Sequence, residues 1–277
     1  MPLIETVRSK DGTSIAYERR GHGPPLVMVH GSTVDHTRWG GVVSRLGEHF
    51  TLLMVDRRGR GASGDGPVYS IEREFEDVVA VLESTEVPAC VLAHSYGAIC
   101  SLEAARLTGR IARVVLYEPP LPLPGHGLIF PADLGQRMEA LLAAEDRDGV
   151  VETFMREVMR LGHHEIECMR RTSSWDVRLR AAHTIPREVE VANTYRFRAE
   201  GFAHVHVPTL FLVGSRSPAF LHEATTMASA ALVGSQVESL RGQGHAAMST
   251  GPRILLGKVL PFLVGGEDAE GREGAEA

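Results

Sequence analysis

The stretch Val91-Leu92-Ala93-His94-Ser95-Tyr96-Gly97-Ala98 carries the most distinctive chemistry in this chain. Apolar, β-prone residues run into a small-x-Ser-x-Gly core, and helix-forming residues from Ile99 to Arg106 follow. The pattern predicts a strand, a sharp turn and a helix, with the turn lifting the Ser95 hydroxyl clear of a sheet. Small residues are needed there because the turning serine takes a strained backbone conformation. Ala93 stands where glycine is commonest, and alanine meets the same size limit. A helix N-terminus beneath the turn offers free N–H groups to an anion. A serine hydroxyl is a poor nucleophile until a base takes its proton, and that base needs an orienting carboxylate. The candidate base is His245, in the glycine-rich segment Gly242-Gln243-Gly244-His245 that can aim an imidazole back at the turn.

These residues must be positioned by regular elements. Strands are predicted at Leu3 to Arg8, Ser14 to Glu18, Leu26 to Val29, Phe50 to Val55, up to Ala93, Ile111 to Tyr117, Thr209 to Val213 and Gln236 to Leu240. The segment His36 to Glu48 reads as one helix. From Ser70 to Ser84, Ile71, Phe75, Val78, Val79 and Leu82 form one apolar helical stripe. Ser70 is its candidate N-cap, and Glu72 and Glu74 suit its positive end. Short Val/Leu runs alternating with helices predict a parallel sheet covered on both faces. The alternation breaks near Pro119-Pro120. From Pro131 to about Phe202 the reading is helical, with helices at Leu134 to Ala144, Val150 to Leu161, His164 to Arg171 and Trp175 to His183. The expected organisation is an α/β core of residues 1–120 and 206–264, a helical cap of 121–205, and a disordered tail of 265–277.

A net charge of −6 argues against nucleic acid or an anionic membrane as partner. No apolar run approaches the ~18 residues of a membrane span. The N-terminus has no basic start leading into an apolar run, so no signal peptide is expected. The cysteines, Cys90, Cys100 and Cys168, are odd in number and irregular in spacing, which points to reduced thiols and a cytoplasmic protein. A monomer or homodimer is expected.

Over residues 1–264 the chain resembles the α/β-hydrolase superfamily. The resemblance rests on His30-Gly31 after the third strand, Asp56-Arg57-Arg58-Gly59-Arg60-Gly61-Ala62-Ser63, the Ser95 turn, and Gly244-His245 late in the chain. It implies a mostly parallel eight-stranded sheet flanked by helices, with the helical cap inserted after the sixth strand. It also implies that the backbone N–H groups of Ser32 and Tyr96 form an oxyanion hole, with Gly31 beside the substrate. Most relatives carry an aspartate after the strand that follows the cap. Here that stretch reads Gly214-Ser215-Arg216-Ser217-Pro218, with Ser217 in the carboxylate's place. The favoured substitute is Glu118, at the end of the neighbouring strand, because adjacent strands are only ~4.8 Å apart. Zearalenone lactonases and one branch of haloalkane dehalogenases resemble this arrangement. The lactonase resemblance extends into the cap around Trp175, a candidate substrate contact. The alternative for Glu118 is a structural strand-end carboxylate, since Tyr-Glu-Pro also occurs in relatives with an ordinary aspartate.

The expected activity is therefore cofactor-free serine hydrolysis of a carboxylic ester or lactone of a medium-sized, largely apolar molecule. Ser95 attacks, His245 shuttles the proton and Glu118 orients His245. A serine nucleophile disfavours dehalogenase and epoxide hydrolase chemistry, which need an aspartate. The rivals are carbon–carbon bond hydrolysis by the same triad, and a non-catalytic ligand-binding member of the fold. His30 is expected to fix the oxyanion loop and His94 to pack. The arginines after Asp56 are expected to organise their loop. His204 and His206 alternate along the chain but have no third ligand nearby, and no metal site is expected.

Overall fold

Short continuous runs of Val, Leu, Ile and Met have no solvent-facing side, so they extend where both faces of a sheet are covered. The computed structural model describes residues 3–125 and 127–265, so the tail expected to be disordered lies, from residue 266 on, outside the described residues. Its strands are β1 (Leu3–Arg8), β2 (Ser14–Gly21), β3 (Pro25–Val29), β4 (Thr51–Val55), β5 (Ala89–His94), β6 (Ile111–Tyr117), β7 (Thr209–Gly214) and β8 (Gln236–Leu240). They form an eight-stranded sheet in the order β1-β2-β4-β3-β5-β6-β7-β8. β1 with β2 and β2 with β4 are antiparallel, and all other pairs are parallel. This is the α/β-hydrolase fold, as the sequence implies.

One face of the sheet is covered by α1 (Val43–Gly47) and, from the far end of the chain, α10 (Ala247–Thr250) and α11 (Pro252–Val264). The other carries α2 (Ile71–Glu83), α3 (Tyr96–Ala104) and α9 (Ala219–Ala230). Between β6 and β7 the described residues form no strand. They form α4 (Leu134–Ala143), α5 (Arg147–Thr153), α6 (His163–Arg170), α7 (Ser173–Ala181) and α8 (Ile185–Thr194), joined by shorter turns. This insert has its own apolar cluster, in which Met138, Phe154, Ile166 and Trp175 are buried. None of the described helices is long and apolar enough to cross a membrane.

Two details depart from the sequence expectations. The helix expected over His36 to Glu48 is a 3-10 turn at His36–Trp39 followed by α1. Gly40-Gly41 separates them, and a Cβ at Gly41 would stand 2.3 Å from the Met248 carbonyl oxygen, so the chain must bend closely past α10 there. Ser70 does occupy the N-cap of α2, yet its side chain caps nothing. Glu74 is buried and ion-paired, not simply placed against the helix dipole.

Candidate active site

Three non-glycine residues with positive φ stand at the carboxyl ends of neighbouring strands: Thr33 after β3, Ser95 after β5 and Glu118 after β6. Such conformations cost of order 1–3 kcal/mol each and cluster where side chains must be aimed. Ser95 has φ 55° and ψ −127°, and its N–H donates to the Tyr117 carbonyl. The turn is possible because its neighbours are small. A Cβ at Gly97 would lie 2.3 Å from the His30 carbonyl oxygen, and one at Gly31 would lie 2.8 Å from the Ser95 Cβ. Tyr96 is the first residue of α3, so its N–H is one of the donors a helix start leaves free.

Glu118 lies beside the candidate base. Glu118 is fully buried, and its Oε2 lies 2.5 Å from Nδ1 of His245. Its Oε1 accepts from the Gly214 N–H at 2.6 Å and from the Ser217 hydroxyl at 2.5 Å. The residue in the aspartate's usual place thus donates a hydrogen bond to the carboxylate that reaches the histidine. The sequence does not reveal that role for Ser217, because it depends on a contact between β6 and the loop after β7. The Tyr117 hydroxyl donates to the Gly244 carbonyl and Nε2–H of His94 donates to the His245 carbonyl at 2.8 Å, so the loop is held on both sides of the imidazole. Burial pushes the His94 pKa down, as expected of a neutral ring.

Ser32, Ser95, Tyr96, Glu188 and His245 all line one cavity of about 100 Å³ under the insert, closed otherwise by apolar side chains such as Phe130, Phe154 and Phe220. Trp175, expected to touch substrate, does not line it. The ring is buried in the insert's core and its Nε1–H donates to Asp148 at 2.8 Å. Met159 of the insert does line the cavity. Gly31 lies beneath the Ser95 Cβ, and its carbonyl accepts from His30 Nδ1–H at 2.7 Å and from Arg57 at 3.2 Å. His30 Nε2 in turn accepts from the Arg57 N–H at 3.3 Å, which makes His30 a neutral brace for the loop carrying Ser32. Burial, with Arg57 and Arg60 nearby, lowers its pKa well below the usual value.

The arginines after β4 organise buried ion pairs. Arg57 grips Glu74 of α2 through two bonds of 2.7 Å and also donates to Glu188 of α8. Arg60 donates to the same Glu188 oxygen at 2.5 Å, and Arg58 pairs with Asp77 through two bonds of 2.7 Å. Glu188 lines the cavity, a position that sequence reasoning missed because α8 reads only as part of a helical stretch. The fold also brings Asp35, His36 and Asp56 together, their ligand atoms within 4.8 Å of one another. Internal bonds already engage them: Asp35 accepts from Thr37, Asp56 from the Ala62 N–H, and His36 Nε2 lies 3.0 Å from Glu18.

The family model described as "Alpha/beta hydrolase family" matches residues 26–255. The chain superposes on a crystal structure of an alpha/beta hydrolase from Sphaerobacter thermophilus DSM 20745 with TM-score 0.81, at 33% identity over 93% of this chain and 99% of that one. An esterase from Rhodococcus sp. ECU1013 gives TM-score 0.72 at 25% identity, covering 94% and 98% of the two chains. An N-formylmaleamate deformylase of Pseudomonas putida is 35% identical over 109 residues, 38% of this chain and 41% of that protein. The chain spans less than half the length of the curated relatives it matches.

Proposed function

We propose that this chain, which belongs to the alpha/beta hydrolase family, is a serine hydrolase that cleaves a carboxylic ester or lactone through an acyl-enzyme. The observation that carries the reading is the contact of 2.5 Å between Glu118 and His245 Nδ1, with His245 and Ser95 facing the same cavity. In this mechanism His245 Nε2 takes the Ser95 proton as Oγ attacks the carbonyl carbon. The carbonyl oxygen becomes an oxyanion, held by the N–H groups of Ser32 and Tyr96. Losing one such donor typically costs about 10²–10³ in kcat. As the carbon–oxygen bond breaks, His245 returns the proton to the leaving alcohol. Water then attacks the acyl-enzyme by the same route in reverse roles. Glu118 holds the imidazole in the tautomer that leaves Nε2 free, and stabilises the imidazolium. The insert acts as a cap, and its apolar lining suits an acyl group of limited size.

A fluorophosphonate probe with intact-mass detection tests this. One adduct on the folded protein, absent from Ser95→Ala, is the expected result. No adduct, or an adduct that survives the substitution, overturns the assignment. The likeness to an N-formylmaleamate deformylase favours a second reading, removal of a formyl group by the same machinery. A panel of lactones, aryl esters and N-formyl compounds separates the two.

A further inference from the structure

Within a largely apolar cavity, Glu188 is a carboxylate with one oxygen to spare. Its side chain is 2% exposed, and its Oε1 accepts from both Arg57 and Arg60. Its Oε2 is buried and has no hydrogen-bond partner among the described residues. Burial by itself would raise the Glu188 pKa. Arg57 and Arg60, with help from the Ser32 hydroxyl, reverse that and hold it below the usual value, so the spare oxygen is an acceptor. Ser32 favours the carboxylate without closing a hydrogen bond on Oε2. Leaving such an acceptor unmatched in a dry site is costly, and more so for a charged group. A clamp between α8 and the β4 loop needs only the oxygen the arginines already hold.

The other polar groups of the cavity are committed. The Tyr96 hydroxyl lies 2.6 Å from that of Tyr69, while Ser95 and His245 belong to the reaction proposed above. We propose that Glu188 determines specificity: its spare oxygen accepts a hydrogen bond from a neutral hydroxyl or N–H that the substrate carries two or three bonds from the scissile carbonyl. The position follows from Ser32, which contributes its N–H to the proposed oxyanion hole and its hydroxyl to the surroundings of Glu188. The donor must be neutral, because Arg57 and Arg60 already balance Glu74 and Glu188. An ammonium would sit beside two guanidiniums, and a carboxylate would face Glu188 itself.

This inference rests on the serine-hydrolase reading, and one experiment separates the two. We would compare kcat/KM for p-nitrophenyl butanoate, 3-hydroxybutanoate and 3-oxobutanoate, each divided by the hydroxide-catalysed rate of the same ester. The wild type is expected to favour the hydroxy ester over the unsubstituted one by about tenfold or more, and to disfavour the oxo ester. In Glu188→Gln the two arginines, which only donate, hold the amide oxygen and turn the NH₂ into the cavity. The preference should then invert towards the oxo ester. A wild-type ratio near one for the hydroxy ester overturns the proposal, as does an unchanged order in a folded Glu188→Gln. If that variant does not fold, the wild-type ratios decide alone. Turnover of none of the esters, with no fluorophosphonate adduct on Ser95, overturns the hydrolase reading and this proposal with it.

Discussion

Two clusters of buried charge lie at the carboxyl edge of the same sheet, and they are satisfied in different ways. At the β6–β7 edge, Glu118 takes its hydrogen bonds from neutral donors, the Gly214 N–H and the Ser217 hydroxyl, and its remaining side-chain bond among the described residues is to His245. At the β4 edge, Glu74, Asp77 and Glu188 are met by guanidiniums. Arginine does not give up its proton in proteins, so the second cluster can hold elements together but cannot exchange a proton. The first ends on an imidazole, the group that serves as base in the reaction proposed above. The partner of a buried carboxylate, more than the carboxylate itself, decides whether it serves chemistry or architecture. Glu188 straddles the distinction, with one oxygen in the clamp and the other without a partner among the described residues.

The comparison can be broken at either cluster. The largest expected effect is at the clamp: Arg57→Met strands Glu74 and Glu188 as buried carboxylates without their main partner. Urea unfolding should show a loss of about 3–5 kcal/mol, since removing one member of a buried pair leaves an uncompensated charge. A loss below about 1 kcal/mol would mean the cluster is not a clamp. Ser217→Ala acts on the other cluster and should do the reverse. It removes one hydrogen bond to Glu118, so kcat should fall about tenfold while stability changes little. Unchanged kcat would detach Ser217 from the site.

The smallest effect concerns His36, the titratable group at the β4 edge. The hydrogen bond that His36 donates to Asp56, opposed by burial and assisted by the charges of Asp56, Asp35 and Glu18, raises its pKa above the usual value. A raised folded-state pKa stabilises the fold most below the unfolded value of about 6.5, and that gain is lost as pH rises through the folded value. The urea midpoint of the wild type should therefore exceed that of His36→Gln most near pH 6, by a margin that shrinks towards alkaline pH. A margin independent of pH would show that charge on His36 contributes nothing.

Much of this was legible in the sequence for local reasons. Apolar runs set the strands, and small residues around Ser95 mark the turn because sterics there act within a few residues. The contact of Glu118 with His245 is legible because Ser217 empties the usual position and a neighbouring strand is one sheet spacing away. What could not be read depends on contacts across the fold. Trp175 looked like a pocket residue but packs inside the insert against Asp148, and Glu188, in a helix with no signal of its own, reaches the cavity. The break at Gly40-Gly41, within a segment that reads as one helix, follows from the approach of Met248, over two hundred residues later.

The central claim is that the carboxylate behind His245 comes from β6. It is tested most directly by the rate at which the fluorophosphonate labels Ser95 in Glu118→Gln, with folding verified by near-UV circular dichroism. Replacing such a carboxylate by its amide costs about 10⁴ in turnover in the best-studied triads, and labelling slower by about 10³–10⁴ is the expected result. Labelling of the folded variant at the wild-type rate would contradict the claim and return Glu118 to a structural role.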